Sequence, residues 1–135
     1  MINQRNKKDC TQATLANLLN IPYEKIPAFY EEYEKTGDFL GPLDAWLKSI
    51  GRYRLSVDVT WKGEELQLPF VVFTDSVKAV GVLGKDDRPY THAVLLEIRF
   101  SDGEYKTRIL HDPRPDTDYD IFDLVSIELL LLREQ

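Results

Sequence analysis

With 135 residues, of which 43% are hydrophobic and 30% charged, the chain carries enough apolar side chain for one buried core and too much for a disordered segment. Asp and Glu outnumber Lys and Arg by 23 to 17, and the formal charge of −6 disfavours nonspecific nucleic-acid binding, so nucleic acid is not expected as a partner. The longest apolar run, from Ile127 to Leu132 and broken by Glu128, is too short to span a bilayer, and no apolar leader follows Met1. The expectation is therefore a cytoplasmic protein with no membrane partner, folded as a single domain over residues 1–135.

Arg5, Lys7 and Lys8 precede Cys10 and read as a short solvated arm. From Cys10 onward, Leu15, Leu18 and Leu19 fall on one face at helical spacing, so a first helix is expected to start near Cys10 and end by Pro22. Asp9 is the expected N-cap of that helix, with Gln12 as its capping-box partner. A second helix is expected over residues 26–35, with Pro27 at its start and Gly37 as its stop. The set Leu43, Trp46, Leu47 and Ile50 marks a third, closed by Gly51.

At Arg52 the period changes. Tyr53, Leu55, Val57 and Val59 alternate with polar residues, the pattern of a half-buried strand. Residues 69–73 and 77–83 read as further strands, and residues 84–89 as a polar loop. Residues 92–100 and 105–110 flank Asp102-Gly103, a strong hairpin-turn signal. Pairing centred on that turn sets positions summing to about 204 or 205 opposite each other, which brings residue 92 level with residue 112. The apolar stretch 121–132 is read as a last strand. Helices first and an antiparallel sheet afterwards make an α+β arrangement.

Cys10 is the only cysteine, so no internal disulfide is possible, which fits a reducing compartment. An isolated cysteine is ordinarily buried and inert. Here its surroundings point to chemistry. A thiol attacks a carbonyl as the thiolate, which needs a base, a favourable field and a donor for the oxyanion. The first turn of a helix supplies the field. His92 is the candidate base, Asp112 the candidate orienter of its ring, and Gln4 a candidate oxyanion donor beside the Cys10 backbone N–H.

His111, the other histidine, should face away from its neighbour Asp112 by strand alternation and is read as structural. Trp61 and Tyr90 are candidates to line a cleft. The two histidines and one cysteine lack metal-ligand spacing, and Asp116, Asp118, Asp120 and Asp123 lack the glycine and terminal glutamate of a calcium loop. No metal and no cofactor are expected.

Gln4, the run Asp9-Cys10-Thr11-Gln12-Ala13, then His92-Ala93-Val94-Leu95 and His111-Asp112-Pro113-Arg114-Pro115 resemble the papain-like cysteine peptidase superfamily. The nearest likeness is to its small bacteriocin-processing (C39-like) and phage-encoded members. The resemblance implies a papain-like fold, with N-terminal helices, the first bearing the nucleophile, packed on a C-terminal antiparallel sheet. It also implies a catalytic set of Cys10 as nucleophile, His92 as general base, Asp112 as orienter and Gln4 as oxyanion donor. Thr11 stands where many relatives have Gly, and no Trp follows Cys10 as in papain itself. The expected function is a small cysteine hydrolase, a peptidase first, acting on an amide or thioester carbonyl of a peptide or protein substrate. The alternatives are a silent binding or inhibitory accessory protein of viral or mobile-element origin, and a deamidase or acyltransferase using the same triad.

Overall fold

The structure, a computed structural model, describes residues 1–6, 8–69 and 76–132. Helix α1 spans Cys10–Leu19 and buries Ala13, Thr14, Leu15 and Ala16. It ends where Asn20 turns left-handed at φ 55° and returns its N–H to the Ala16 carbonyl, and Pro22 prevents resumption. A 3₁₀ turn, Tyr23–Lys25, follows. Helix α2 spans Phe29–Thr36, later than the expected start at 26, because Pro27 holds Ile26 extended. Gly37 stops it at φ 76°.

Helix α3 spans Leu40–Ser49 and begins three residues before the first periodic leucine. The Asp38 carboxylate accepts the Gly41 N–H at 3.0 Å and so starts the helix early. Gly41 is needed there, since a Cβ would stand 2.3 Å from Asp38 Oδ2.

Seven strands are present among the described residues: β1 Arg52–Asp58, β2 Thr60–Lys62, β3 Glu65–Gln67, β4 Val77–Leu83, β5 His92–Ser101, β6 Glu104–His111 and β7 Leu124–Leu132. They form one antiparallel sheet in the order β1-β7-β4-β5-β6-β3-β2. The fold is α+β, as expected. The three-residue strands β2 and β3 were too short to show an alternation in the sequence. The strand expected at 69–73 lies, beyond Pro69, outside the described residues. Stretch 121–132 is a strand only from Leu124; Ile121–Asp123 is a 3₁₀ turn capped by Asp120.

The two edge strands, β1 and β2, are consecutive in the chain with Val59 alone between them, so the sheet must curl until its edges approach. Its inner face encloses a core that includes Val57, Leu66, Ala79, Leu96, Ile98 and Ile127. Trp61 closes the curl rather than lining a cleft: its Nε1–H donates to the Leu124 carbonyl at 3.0 Å and its ring packs edge-on against Phe122. On the other face Val80, Ala93 and Leu130 meet the helices through Ala13, Phe29 and Leu47.

The β5–β6 hairpin turns through Asp102 and Gly103, both at positive φ, as the sequence signal requires. Register runs from Ser101 opposite Glu104 to Leu96 opposite Ile109; Leu110 is then an extra residue, and His111 stands opposite Leu95. Residues 92 and 112 are therefore not a ladder pair, contrary to the expected register. The ladder ends with β6 at His111, which leaves the β6-side edge of Ala93 open. Helix α1 fills it. Ala93 N–H donates to Cys10 Sγ at 3.5 Å, and the Ala93 carbonyl accepts from the fully buried Thr14 Oγ1 at 3.3 Å.

Thr14 lies one helical turn after Cys10, so the two side chains pin a single residue of β5, one through its N–H and the other through its carbonyl. Thr14→Val keeps the volume but orphans the Ala93 carbonyl, and should destabilise the fold by about 1–3 kcal/mol. Thr14→Ser keeps the bond and should cost less. Urea unfolding checks this as a shift in midpoint at unchanged slope.

Candidate functional site

Cys10 opens α1, His92 opens β5, and Asp112 is the first residue after β6, so three element ends converge where the sheet edge parts. The His92 side chain is only 7% exposed, and its Nε2 lies 2.6 Å from Asp112 Oδ1. Cys10 stands beside the ring: its Sγ accepts the N–H of Ala93, the residue after His92, at 3.5 Å, and its proximity acts on the imidazole. With Nε2 committed to Asp112, Nδ1 is the nitrogen left for the thiol. Asp112 is itself held: Oδ1 also accepts the Arg114 N–H at 2.9 Å, and Oδ2 accepts from Thr117 Oγ1 at 3.5 Å.

Burial works against a charged His92, but its interactions with neighbouring Cys10 and with the Asp112 carboxylate outweigh it and raise the imidazole above its ordinary 6.5. A base so placed accepts a proton readily. By linkage, its raised folded value contributes stability that is fully present below about pH 6.5 and is lost as pH rises through that folded value. NMR titration should find His92 protonated to a higher pH than a free histidine, and Asp112→Ala should bring its titration down. A midpoint unmoved by that substitution would contradict the geometry.

Gln4 reaches this region on an N-terminal segment whose backbone is tied down, while Arg5 and Lys8 are exposed as expected. Asn17 of α1 brackets the Ile2 backbone, accepting its N–H at 2.8 Å and donating to its carbonyl at 2.9 Å. His111 donates to the same carbonyl at 3.1 Å, so its ring serves the N-terminal segment. Gln4 N–H donates to the Pro113 carbonyl at 2.9 Å, one residue past Asp112, and the Gln4 side-chain amide donates to the Asn6 carbonyl at 2.6 Å.

Asp9 occupies the N-cap position but its side chain does not cap α1. Its buried carboxylate instead accepts the N–H groups of Arg5 and Asn6 and the Tyr23 hydroxyl. The expected capping-box partner, Gln12, donates to the carbonyls of Ile26 and Tyr23. Both side chains are spent on tertiary contacts because the segments flanking α1 fold back against it.

Tyr119 was not singled out in the sequence, where it sits in an acidic stretch without periodicity. Its ring stacks on His92 at 5.5 Å and 15°. The Arg88 guanidinium lies over the same tyrosine ring at 4.8 Å, and Arg88 pairs with Asp118. Loops 84–91 and 113–120 are thus joined beside the imidazole. Asp120 and Asp123 form the capping box of the 3₁₀ turn, and Lys85 pairs with Asp123 at 3.1 Å, so these carboxylates have structural partners. Tyr90 is exposed, and its carbonyl accepts from Tyr119.

A cavity of about 220 Å³ opens beside the start of α1, lined by Asn6, Thr11, Phe29, Tyr30, Glu31 and Phe39 among others. No family model matches the chain, and no curated protein or solved structure matches it either. No helix among the described residues is long and apolar enough to cross a membrane.

Proposed function

We propose that this protein is a small papain-like cysteine hydrolase, acting first as a peptidase on the amide bonds of a peptide or protein in the cytoplasm. The observation that carries the reading is the buried His92, bonded to Asp112 at 2.6 Å through Nε2, with Cys10 Sγ on the N–H of the next residue, Ala93, at 3.5 Å. In this mechanism His92 takes the Cys10 thiol proton as Sγ bonds to the substrate carbonyl carbon. The carbonyl oxygen becomes an oxyanion, held by the Cys10 backbone N–H and the Gln4 amide. Collapse breaks the C–N bond, and His92 gives its proton to the leaving amine. Water, deprotonated by His92, then hydrolyses the thioester and regenerates the thiol.

The cavity beside Thr11 is compatible with the same reading, since it offers a recess of mixed polar and aromatic lining next to the nucleophile's helix turn for a substrate side chain. An alkyne derivative of iodoacetamide at neutral pH tests the site without a known substrate. The wild type should label many times faster than glutathione and Cys10→Ala not at all. Labelling of Cys10 no faster than glutathione would sink the hydrolase reading and leave a binding protein of the same architecture.

A further inference from the structure

Asp9 is a buried carboxylate next to the nucleophile that the proposed mechanism does not use. A negative charge there opposes a thiolate at Cys10, so its retention calls for another reason. Its partners supply one. Oδ2 accepts the Arg5 N–H at 2.8 Å and Oδ1 the Asn6 N–H at 3.0 Å, and the Tyr23 hydroxyl donates to Oδ2. Burial, followed by the bond to Asp9, pushes the Tyr23 phenol up to about 12, so it stays a donor throughout the working range. The Arg5 guanidinium lies over the Tyr23 ring at 4.0 Å and closes the loop onto it.

These bonds fix the Gln4–Arg5 and Arg5–Asn6 peptide planes, and so the backbone on which the Gln4 side chain and Asn6 are carried. The Asn6 carbonyl accepts one N–H of the Gln4 side-chain amide at 2.6 Å. From the other side, Pro113 holds the Gln4 backbone. The Gln4 Oε1 is buried and has no hydrogen-bond partner among the described residues. Leaving a buried acceptor unpaired is costly, so the amide is held against its own best hydrogen bonding. A primary amide has two N–H donors, and the one spent on Asn6 sets the direction of the second.

We infer that Asp9 is a positioning residue which, by fixing the backbone of residues 4–6, holds the Gln4 amide with one N–H free to receive the oxyanion formed at Cys10. The inference rests on the hydrolase reading above and goes beyond it. It assigns Asp9 and Tyr23 to the preparation of the oxyanion site rather than to the helix cap or to the thiol.

Two probes separate these roles in the full chain. Alkylation by iodoacetamide forms no oxyanion, whereas acylation by 4-nitrophenyl acetate passes through one, so the ratio of acylation to alkylation rates reports the oxyanion site. Gln4→Ala should lower that ratio by about 10²–10³-fold. Asp9→Asn exchanges a carboxylate that accepts two N–H bonds for an amide that cannot accept both, and should lower the ratio about ten- to a hundredfold. Its alkylation should be unchanged or faster, because a negative charge beside the thiol is gone. In the Gln4→Ala background Asp9→Asn should add nothing, because it acts through Gln4. Tyr23→Phe, which removes only the hydroxyl, should lower the ratio severalfold, and it decides the matter should Asp9→Asn fail to fold.

A wild-type ratio in Asp9→Asn, an equal fall of both rates, or additive effects in the double variant would overturn the assignment of Asp9 while leaving the hydrolase reading intact. A wild type inert to both probes would overturn the two together.

Discussion

His92→Ala is expected to lower turnover by about 10⁴–10⁶-fold while leaving the fold in place. In the proposed mechanism the imidazole takes the thiol proton and returns it to the leaving amine, so both halves of the reaction would lose their proton carrier. The fold should survive, because the side chain stands at the first residue of β5 and the Asp112 carboxylate keeps the Arg114 N–H and the Thr117 hydroxyl as donors. The loss should also have a pH signature. Near neutrality Cys10 alkylation should slow in His92→Ala, and the gap from wild type should close above about pH 8.5, where an ordinary thiol ionises unaided. Alkylation by iodoacetamide across this range, beside circular dichroism of both proteins, checks it. Equal rates at neutral pH would remove His92 as the base.

Asp112 should be more forgiving of one substitution than of another. Asp112→Ala removes the ring's anchor at Nε2 and frees the Arg114 N–H, so the imidazole can rotate away from Cys10; turnover should fall by about 10²–10⁴-fold. Asp112→Asn should cost roughly tenfold, because the oxygen that meets His92 also accepts the Arg114 N–H. A backbone donor at that atom dictates that the asparagine oxygen, not its nitrogen, occupies the place. The new amide nitrogen then falls beside Thr117, whose hydroxyl can accept as well as donate. The imidazole keeps its tautomer and loses only the charge beneath it. Steady-state rates with any substrate found for the wild type, or the nitrophenyl acetate burst in its absence, measure the split. Equal and negligible effects would end the assignment of Asp112 as orienter.

The parts of the fold legible in the sequence were those written in short-range chemistry. Leu15, Leu18 and Leu19 at helical spacing announced α1, the alternation from Tyr53 to Val57 announced β1, and Asp102-Gly103 announced a turn that needs two positive φ values in succession. Boundaries moved where a single side chain outweighed periodicity, as Pro27 did for α2 and Asp38 for α3. The residue types of the candidate site were equally legible, because a lone cysteine, a histidine at the head of a strand and a carboxylate at the end of its partner are each visible one at a time.

Their meeting was not. Counting back from the turn set residue 92 level with residue 112, yet the extra residue Leu110 shifts the ladder and β6 stops at His111. His92 and Asp112 touch because the chain leaves the sheet there, not because they are cross-strand neighbours. Asp9 looked like a cap because local rules see only the next turn of helix; its carboxylate instead collects donors from Arg5, Asn6 and Tyr23, which folding brings around it. Tyr119 had no signal at all, since stacking on His92 depends on two loops that meet in space. Local sequence determined where helices, strands and the Asp102-Gly103 turn form, because propensity, periodicity and turn chemistry act over a few residues. Tertiary structure decided which donor each buried carboxylate receives and which strand edge is left open for Cys10 and Thr14, because those choices depend on where distant segments end.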